Sequence, residues 1–412
     1  MTTLTALDQV ELDKIIAKHE AFRAGRSNGV RATLAHYDLS HLMFRGRDLS
    51  HADFTGSVLY EADLENATLD FCLLYACDLR KANFRNASLV RADLRGSCLR
   101  GAIMTGADLT SADLREGTFA TYDPEKGLSY ISDNEAWIGG TGGVDLRGAN
   151  LGSVKLSGAV ATNSNFEDAN LCKSVIIRGN LSGANLTGAN LAGADLSQCE
   201  IRDVSLRGAN LTGTLIDFSN LKNVDMTGAL TDRPSGLTPD KLPMSLEELI
   251  RLHQLWLKTK GAEGQKLDLS NHDMRNAPPL VGANLTMLTA ENSIWYGLDL
   301  SQINLQASHL NESDFRNCNF AGADLRGSVF QKCNMVGARF VRARLEPLQL
   351  DNKRNLRTVF AGANLRYADF TQAMLREVDF TGADLSFANF VDADTHGADF
   401  SYAKLHQARI KK

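Results

Sequence analysis

Proline is scarce in this chain: there are seven in 412 residues, each where the regular rhythm of the sequence breaks. An excess of one charge is lacking too. The 44 Lys and Arg against 49 Asp and Glu leave a formal charge of −5, small for the length, which excludes a long acidic tail or basic arm. No apolar run nears the ~20 residues of a membrane span, and Met1-Thr2-Thr3-Leu4-Thr5 has neither the charged nor the apolar region of a secretory leader. These absences predict a soluble, cytoplasmic protein without a membrane partner. Cysteine is limited to seven residues with no ligand-spaced set; Cys72 and Cys77, the nearest pair, lie on adjacent pentads. With Cys199, Cys318 and Cys333 they read as small core residues, not as disulfide or metal partners.

What the sequence does hold is a period of five. From Leu34 through Leu39, Phe44, Leu49 and Phe54 to Leu109, Leu114 and Phe119, every fifth residue is apolar. Two places before it stands a small residue such as Ala52, Ala62 or Ala92, and just before it Asp or Asn in about half the cases. Five matches neither the helical 3.6 nor the strand period of two, so the run is neither an amphipathic helix nor a lone strand. Fixed-period similarity means a repeat architecture. In the last third, residues twenty apart also match. One column is Leu285, Leu305, Leu325, Leu345, Leu365, Leu385 and Leu405, and another is Phe320, Phe340, Phe360, Phe380 and Phe400. A third, Trp295, Phe315, Met335, Asn355, Leu375 and Thr395, is less uniform and marks one face for an irregularity. Like stacked on like at twenty predicts a four-sided coil rising about 4.8 Å per turn.

These tandem Ala-Asp/Asn-Leu-X-X units resemble the pentapeptide-repeat family. The resemblance implies an all-β solenoid, a right-handed quadrilateral β-helix, here with short capping α-helices. Before the first run, Leu12, Ile15, Ile16, His19 and Phe22 recur at helical spacing; after Pro243 the same figure returns as Leu246, Leu249, Ile250, His253 and Trp256, opened by Ser245 and Glu248 as a capping box. Gly29 precedes Leu34 as Gly264 precedes Leu269, so helix, turn and solenoid start are duplicated. The expected organisation is a capping helix and turn over 1–28, a first solenoid over 29–230 with an insertion at 120–143, a linker and second capping helix over 231–264, and a second solenoid over 265–412. The insertion is either a loop on a continuing solenoid or a joint between two blocks.

Nothing reads as an active site, and no cofactor or metal is expected. The glycine cluster Gly139-Gly140-Thr141-Gly142-Gly143 lacks the Gly-Lys-Ser/Thr and the strand-helix context of a phosphate loop. His36, His41 and His51 fall on different outward faces without a third ligand. The function expected is a non-enzymatic protein–protein interaction scaffold. Its candidate partner-binding residues are Tyr122, Tyr130 and Trp137 in the insertion, which either present a contact surface or fold back on the wall, and the stacked pairs Arg80/Arg100 and Arg95/Arg115. Some members of the resembled family are proposed DNA mimics that modulate a type II topoisomerase (gyrase). That alternative is disfavoured by outward Arg residues and by the lack of a carboxy-terminal dimerisation helix. Direct nucleic-acid binding is not expected, because aromatics are not interleaved with the basic strip. The end at Ile410-Lys411-Lys412 shows no cap, which makes a homodimer through the carboxy-terminal solenoid end a further expectation.

Overall fold

Five residues per side and four sides per turn require each strand residue to meet its counterpart twenty positions on. The computed structural model, which describes residues 4–115, 119–123, 127–131, 143–350 and 354–410, is built on that ladder. Asp53 bridges Leu73, Leu73 bridges Asp93 and Asp93 bridges Asp113, all in parallel, and the same spacing recurs on the other sides. The fold is a right-handed quadrilateral β-solenoid. It divides into two compact units, residues 1–233 and 234–412.

The pentad explains the coil. Its Leu or Phe and the small residue two places before point inward and are buried, as at Ala52 and Phe54 or Ala82 and Phe84. The Asp or Asn between them turns its side chain back on the corner: Asp48 Oδ1 accepts from the backbone N–H of Ser50 at 3.0 Å, and Asp108 Oδ1 from that of Thr110 at 2.9 Å. Two places after the apolar residue the chain is left-handed, with φ 67° at His51, 57° at Phe71 and 56° at Arg91. Such a φ costs a non-glycine residue roughly 1–2 kcal/mol, which burial of a Leu or Phe side chain, worth about 1.5–3 kcal/mol, offsets. The small slot is more than filler. Cys72 and Cys77 donate their thiols to the carbonyls of Leu49 and Phe54 at 2.9 and 3.0 Å, and burial pushes both thiols up to about 12, which keeps them protonated.

Unit 1 begins with a strand residue, not with its helix. β1 (Thr5–Ala6) precedes α1 (Gln9–Arg23) and pairs in parallel with β2 (Tyr37–Asp38) in the first full coil. Asp8 and Glu11 form a reciprocal capping box. Leu12, Ile16 and His19 are buried against the solenoid end, whereas Phe22, expected on the same stripe, is 44% exposed at the helix end. Gly29 is required by close approach, since a Cβ there would lie 2.2 Å from the backbone nitrogen of Phe22. Further on, Ile103 bridges Asp145, Asp108 bridges Asn150 and Asp113 bridges Lys155, so on three sides the ladder of unit 1 continues across the insertion, which reads as a loop hung on a continuing solenoid. β3 (Phe119–Asp123) pairs antiparallel with β4 (Gly127–Ile131), so Phe119, expected as the last pentad residue before an insertion at 120–143, belongs to the hairpin instead.

Unit 2 repeats the arrangement. Leu237 bridges His272 ahead of α2 (Leu246–Lys258), whose Ser245 side chain accepts from the N–H of Glu248. Leu246, Leu249 and His253 are buried. A Cβ at Gly264 would lie 2.2 Å from the carbonyl oxygen of Leu252. The one-residue slip at Pro278-Pro279 shows in the pairing of Asp268 with Thr289.

The columns expected in this unit need correction. A ten-residue excursion carrying β5 (Leu348–Gln349) and β6 (Asn355–Leu356) makes Val329 bridge Val359 and Asn334 bridge Asn364. Phe340 therefore stacks on Phe370 at 4.8 Å and 7°, and meets Phe360 only edge-on at 5.8 Å and 79°. The series Phe320 to Phe400 is thus two columns on different sides. The uneven third series becomes Trp295, Phe315, Met335, Leu365, Leu385 and Leu405, apolar throughout. Asn355 never belonged to it. Deleting Pro347–Leu356 should restore the twenty-residue spacing and leave the unit folded, with Arg357 taking the left-handed corner. The check is a thermal melt followed by circular dichroism, in which loss of cooperative unfolding would refute the assignment.

Candidate interaction surface

The sequence points to two clusters, the insertion and the basic strip of unit 1. In the insertion, Tyr122 and Tyr130 sit on paired strands but not opposite one another: Tyr122 faces Leu128, and Tyr130 faces Ala120. Trp137 lies outside the described residues.

In the basic strip, three of the four expected arginines, Arg80, Arg95 and Arg115, follow an Asp by two places, and the side chains meet; Arg100 follows Cys98. Arg80 donates to both carboxylate oxygens of Asp78 at 2.8 and 2.6 Å, Arg95 likewise to Asp93 at 2.8 and 2.6 Å, and Arg115 reaches Asp113 at 2.6 Å. The pattern Asp-apolar-Arg recurs at Arg147, Arg275, Arg316 and Arg326, paired with Asp145, Asp273, Asp314 and Asp324. It follows from the pentad, because residues flanking an inward side chain both leave the wall on the same side. Burial alone would raise the carboxyl of Asp113, but the hydrogen bonds of Arg115, from guanidinium and backbone, outweigh it and hold Asp113 below its ordinary value; Asp145 beside Arg147 behaves alike. The outward Arg residues expected from the sequence are therefore, in this tripeptide, paired with a carboxylate of their own pentad. Arg100, one coil beyond Arg80, has no carboxylate within ion-pair distance among the described residues.

Aromatics are interleaved after all, which corrects a second expectation. Arg80 lies over the Tyr60 ring at 5.7 Å, Arg95 over Tyr75 at 5.6 Å and Arg91 over Phe71 at 5.7 Å. These pairs are twenty residues apart and become visible only when the sequence is laid out by coils. Arg80 and Arg95, on adjacent sides of the coil, are thus each held between a carboxylate and an aromatic face, and Arg91, at a corner, by an aromatic face alone. Among the described residues, no group of three His, Cys, Asp or Glu is placed to hold a metal ion, and no helix is long and apolar enough to cross a membrane.

The family model of pentapeptide repeats matches residues 38–74, 69–106, 77–116, 142–176, 180–216, 289–320, 299–337, 308–346, 357–386 and 379–412, more than half of the chain. The chain belongs to the pentapeptide-repeat family. No catalytic family is indicated, and no curated protein sequence matches. Solved pentapeptide-repeat proteins similar to this one include QnrB1, a plasmid-mediated fluoroquinolone resistance protein, at 17% identity over 49% of this chain and 90% of that chain, with a TM-score of 0.28. HetL, involved in heterocyst differentiation regulation in the cyanobacterium Nostoc sp. strain PCC 7120, is 18% identical over 98% of this chain and 96% of its own, with a TM-score of 0.18. A thylakoid-lumen protein from Arabidopsis thaliana is 25% identical over 27% of this chain and 71% of its own, also at 0.18. The membership of this pentapeptide-repeat protein rests on the repeat match and on the coils themselves.

Proposed function

We propose that this pentapeptide-repeat protein is a non-enzymatic scaffold that binds a protein partner along two adjacent sides of unit 1 and the corner beside them. The observation that carries the reading is the set of outward guanidinium groups at Arg80, Arg91 and Arg95, each held over an aromatic ring of the preceding coil. Fixed arginine and aromatic surfaces are what protein interfaces concentrate their binding energy in, because little side-chain freedom remains to be lost. Mimicry of DNA toward a topoisomerase would require carboxylates free to stand in for phosphates. On these two sides Asp78, Asp93 and Asp113 are instead neutralised by their own arginines.

Two measurements separate the readings. The intact chain should leave supercoiling by DNA gyrase unchanged even in molar excess, and inhibition or protection of gyrase would overturn the scaffold reading. In affinity capture, a partner held by the intact chain should be lost when Arg80, Arg95 and Arg115 are changed to Glu; capture of nothing by either form would also overturn it.

A further inference from the structure

Resting on that reading, the structure points to where and what the scaffold binds: we propose that one corner of unit 1, running from Phe22 to Lys155, is a groove for an extended acidic peptide carrying a bulky apolar side chain. At its lower end Phe22, Phe71 and Leu73 are 44%, 43% and 37% exposed and lie together around one depression with Arg31 and His51. His51 stacks flat on Phe71 at 4.9 Å and 7°, and Arg91 covers the other face of that column at 5.7 Å from the ring centroid, giving a π-ladder three coils long. The upper end continues past Ser111 and Ser153 to Lys155.

Unit 2 serves as an internal control. Its helix is held to its first coil by His253 as α1 is held by His19, yet the residues equivalent to His51, Phe71 and Arg91 are Met287, Ala307 and Gly327. The cap therefore does not need the ladder. Three exposed coils of His, Phe and Arg are kept in unit 1 without a capping role, which leaves recognition as their use.

Charge selects the occupant. Arg31, Arg91 and Lys155 have no carboxylate within ion-pair distance among the described residues, whereas Asp93 and Asp113 beside them are already held by Arg95 and Arg115. Coils rise about 4.8 Å each and an extended chain about 3.3 Å per residue, so cations two to three coils apart suit carboxylates three or four residues apart with an apolar residue between. The corner from His51 to Ser153 covers four steps and accommodates roughly six extended residues. A nucleic-acid strand fits less well: it brings a charge at every nucleotide, and the intervening Asp93 and Asp113 would face some of them.

The test uses the full chain and a fluorescein-labelled Ser-Asp-Leu-Trp-Glu-Ser peptide in fluorescence anisotropy, with three other probes: the same peptide with Lys for both acids, one with Ser for Leu and Trp, and a thymidine hexanucleotide. The acidic peptide should bind most tightly and lose about tenfold or more in affinity to R91E and to F71N, chosen because Asn tolerates the left-handed corner. R339E, an exposed change in unit 2, should have no effect, and all variants should melt like the parent. No binding of the acidic peptide, binding equal to the Lys peptide, or retention by both groove variants would overturn the proposal, as would tighter binding of the hexanucleotide. If a captured protein partner survives R91E and F71N, the groove assignment falls while the scaffold reading stands.

Discussion

Alanine at His253 is expected to release α2 from the first coil of unit 2 and to cost that unit about 3 kcal/mol. The imidazole is fully buried and bonded at both nitrogens: Nδ1 accepts from the backbone N–H of Leu267 at 3.0 Å, and Nε2 donates to the carbonyl of Thr286 at 2.9 Å. Its removal leaves both groups buried without a partner and opens a cavity between helix and coil. His19 does the same in unit 1, accepting from Ala32 at 3.0 Å and donating to Ser50 at 3.1 Å, and H19A should weaken that unit similarly. Both roles need the neutral ring, because a protonated Nδ1 cannot accept. Burial holds both histidines below their ordinary value. A lowered folded value means that the unfolded chain takes up protons first. Stability should therefore be full above about pH 6.5, fall as the pH drops below it, and level off only beneath the folded value. Calorimetric melts at stepped pH would show this slope in the parent and its loss in H19A and H253A. Melting temperatures unmoved by either change would sink the assignment.

Breaking the Arg275–Asp273 pair should have a comparable effect in unit 2. The two side chains are 13% and 3% exposed and meet at 2.6 Å. R275M would leave a buried carboxylate without its counter-ion, at a cost of roughly 3–5 kcal/mol, whereas D273N with R275M should recover much of the loss. The pH dependence distinguishes a charge effect from lost packing. Burial pushes the carboxyl of Asp273 up, but hydrogen bonds from Arg275 and from the backbone of Ser235 outweigh it, so its folded value lies below the ordinary one. Its contribution is present above the unfolded value near pH 4 and is lost as the pH falls through the folded value. In R275M burial is no longer outweighed by the guanidinium, so the deficit against the parent should shrink toward pH 4. Denaturant unfolding at pH 7 and pH 4 measures both, and an R275M chain as stable as the parent at pH 7 would rule the argument out.

The fold was readable because an inward Leu or Phe every fifth place is a demand of the core, and the core tolerates few exceptions. The helices were readable for the same reason, down to the paired His19 and His253. What escaped was whatever depends on coil arithmetic. β1 pairs with β2 across α1, and Leu237 with His272 across α2, so each helix interrupts a coil already begun; two strand residues carry no periodic signal. The Arg–Asp pairs lie only two residues apart, yet their meeting follows from side-chain direction, which composition does not convey. Tyr60 under Arg80 and Phe71 under Arg91 are remote in sequence and adjacent only by one turn. The exposed Phe22 escaped because helical spacing cannot tell a buried last turn from one that overhangs.

The ten-residue excursion at β5 and β6 has a consequence for how this surface can be read and rebuilt. Ten is two whole pentads, so every residue after it keeps its assignment as inner or outer. Ten is also half a coil, so every residue after it changes side, and positions equal modulo twenty before and after the hairpin lie on opposite walls. The hairpin acts as a phase shifter. A ligand surface that crosses it must be encoded ten positions out of step, and a change copied down the sequence at intervals of twenty would land on the far wall.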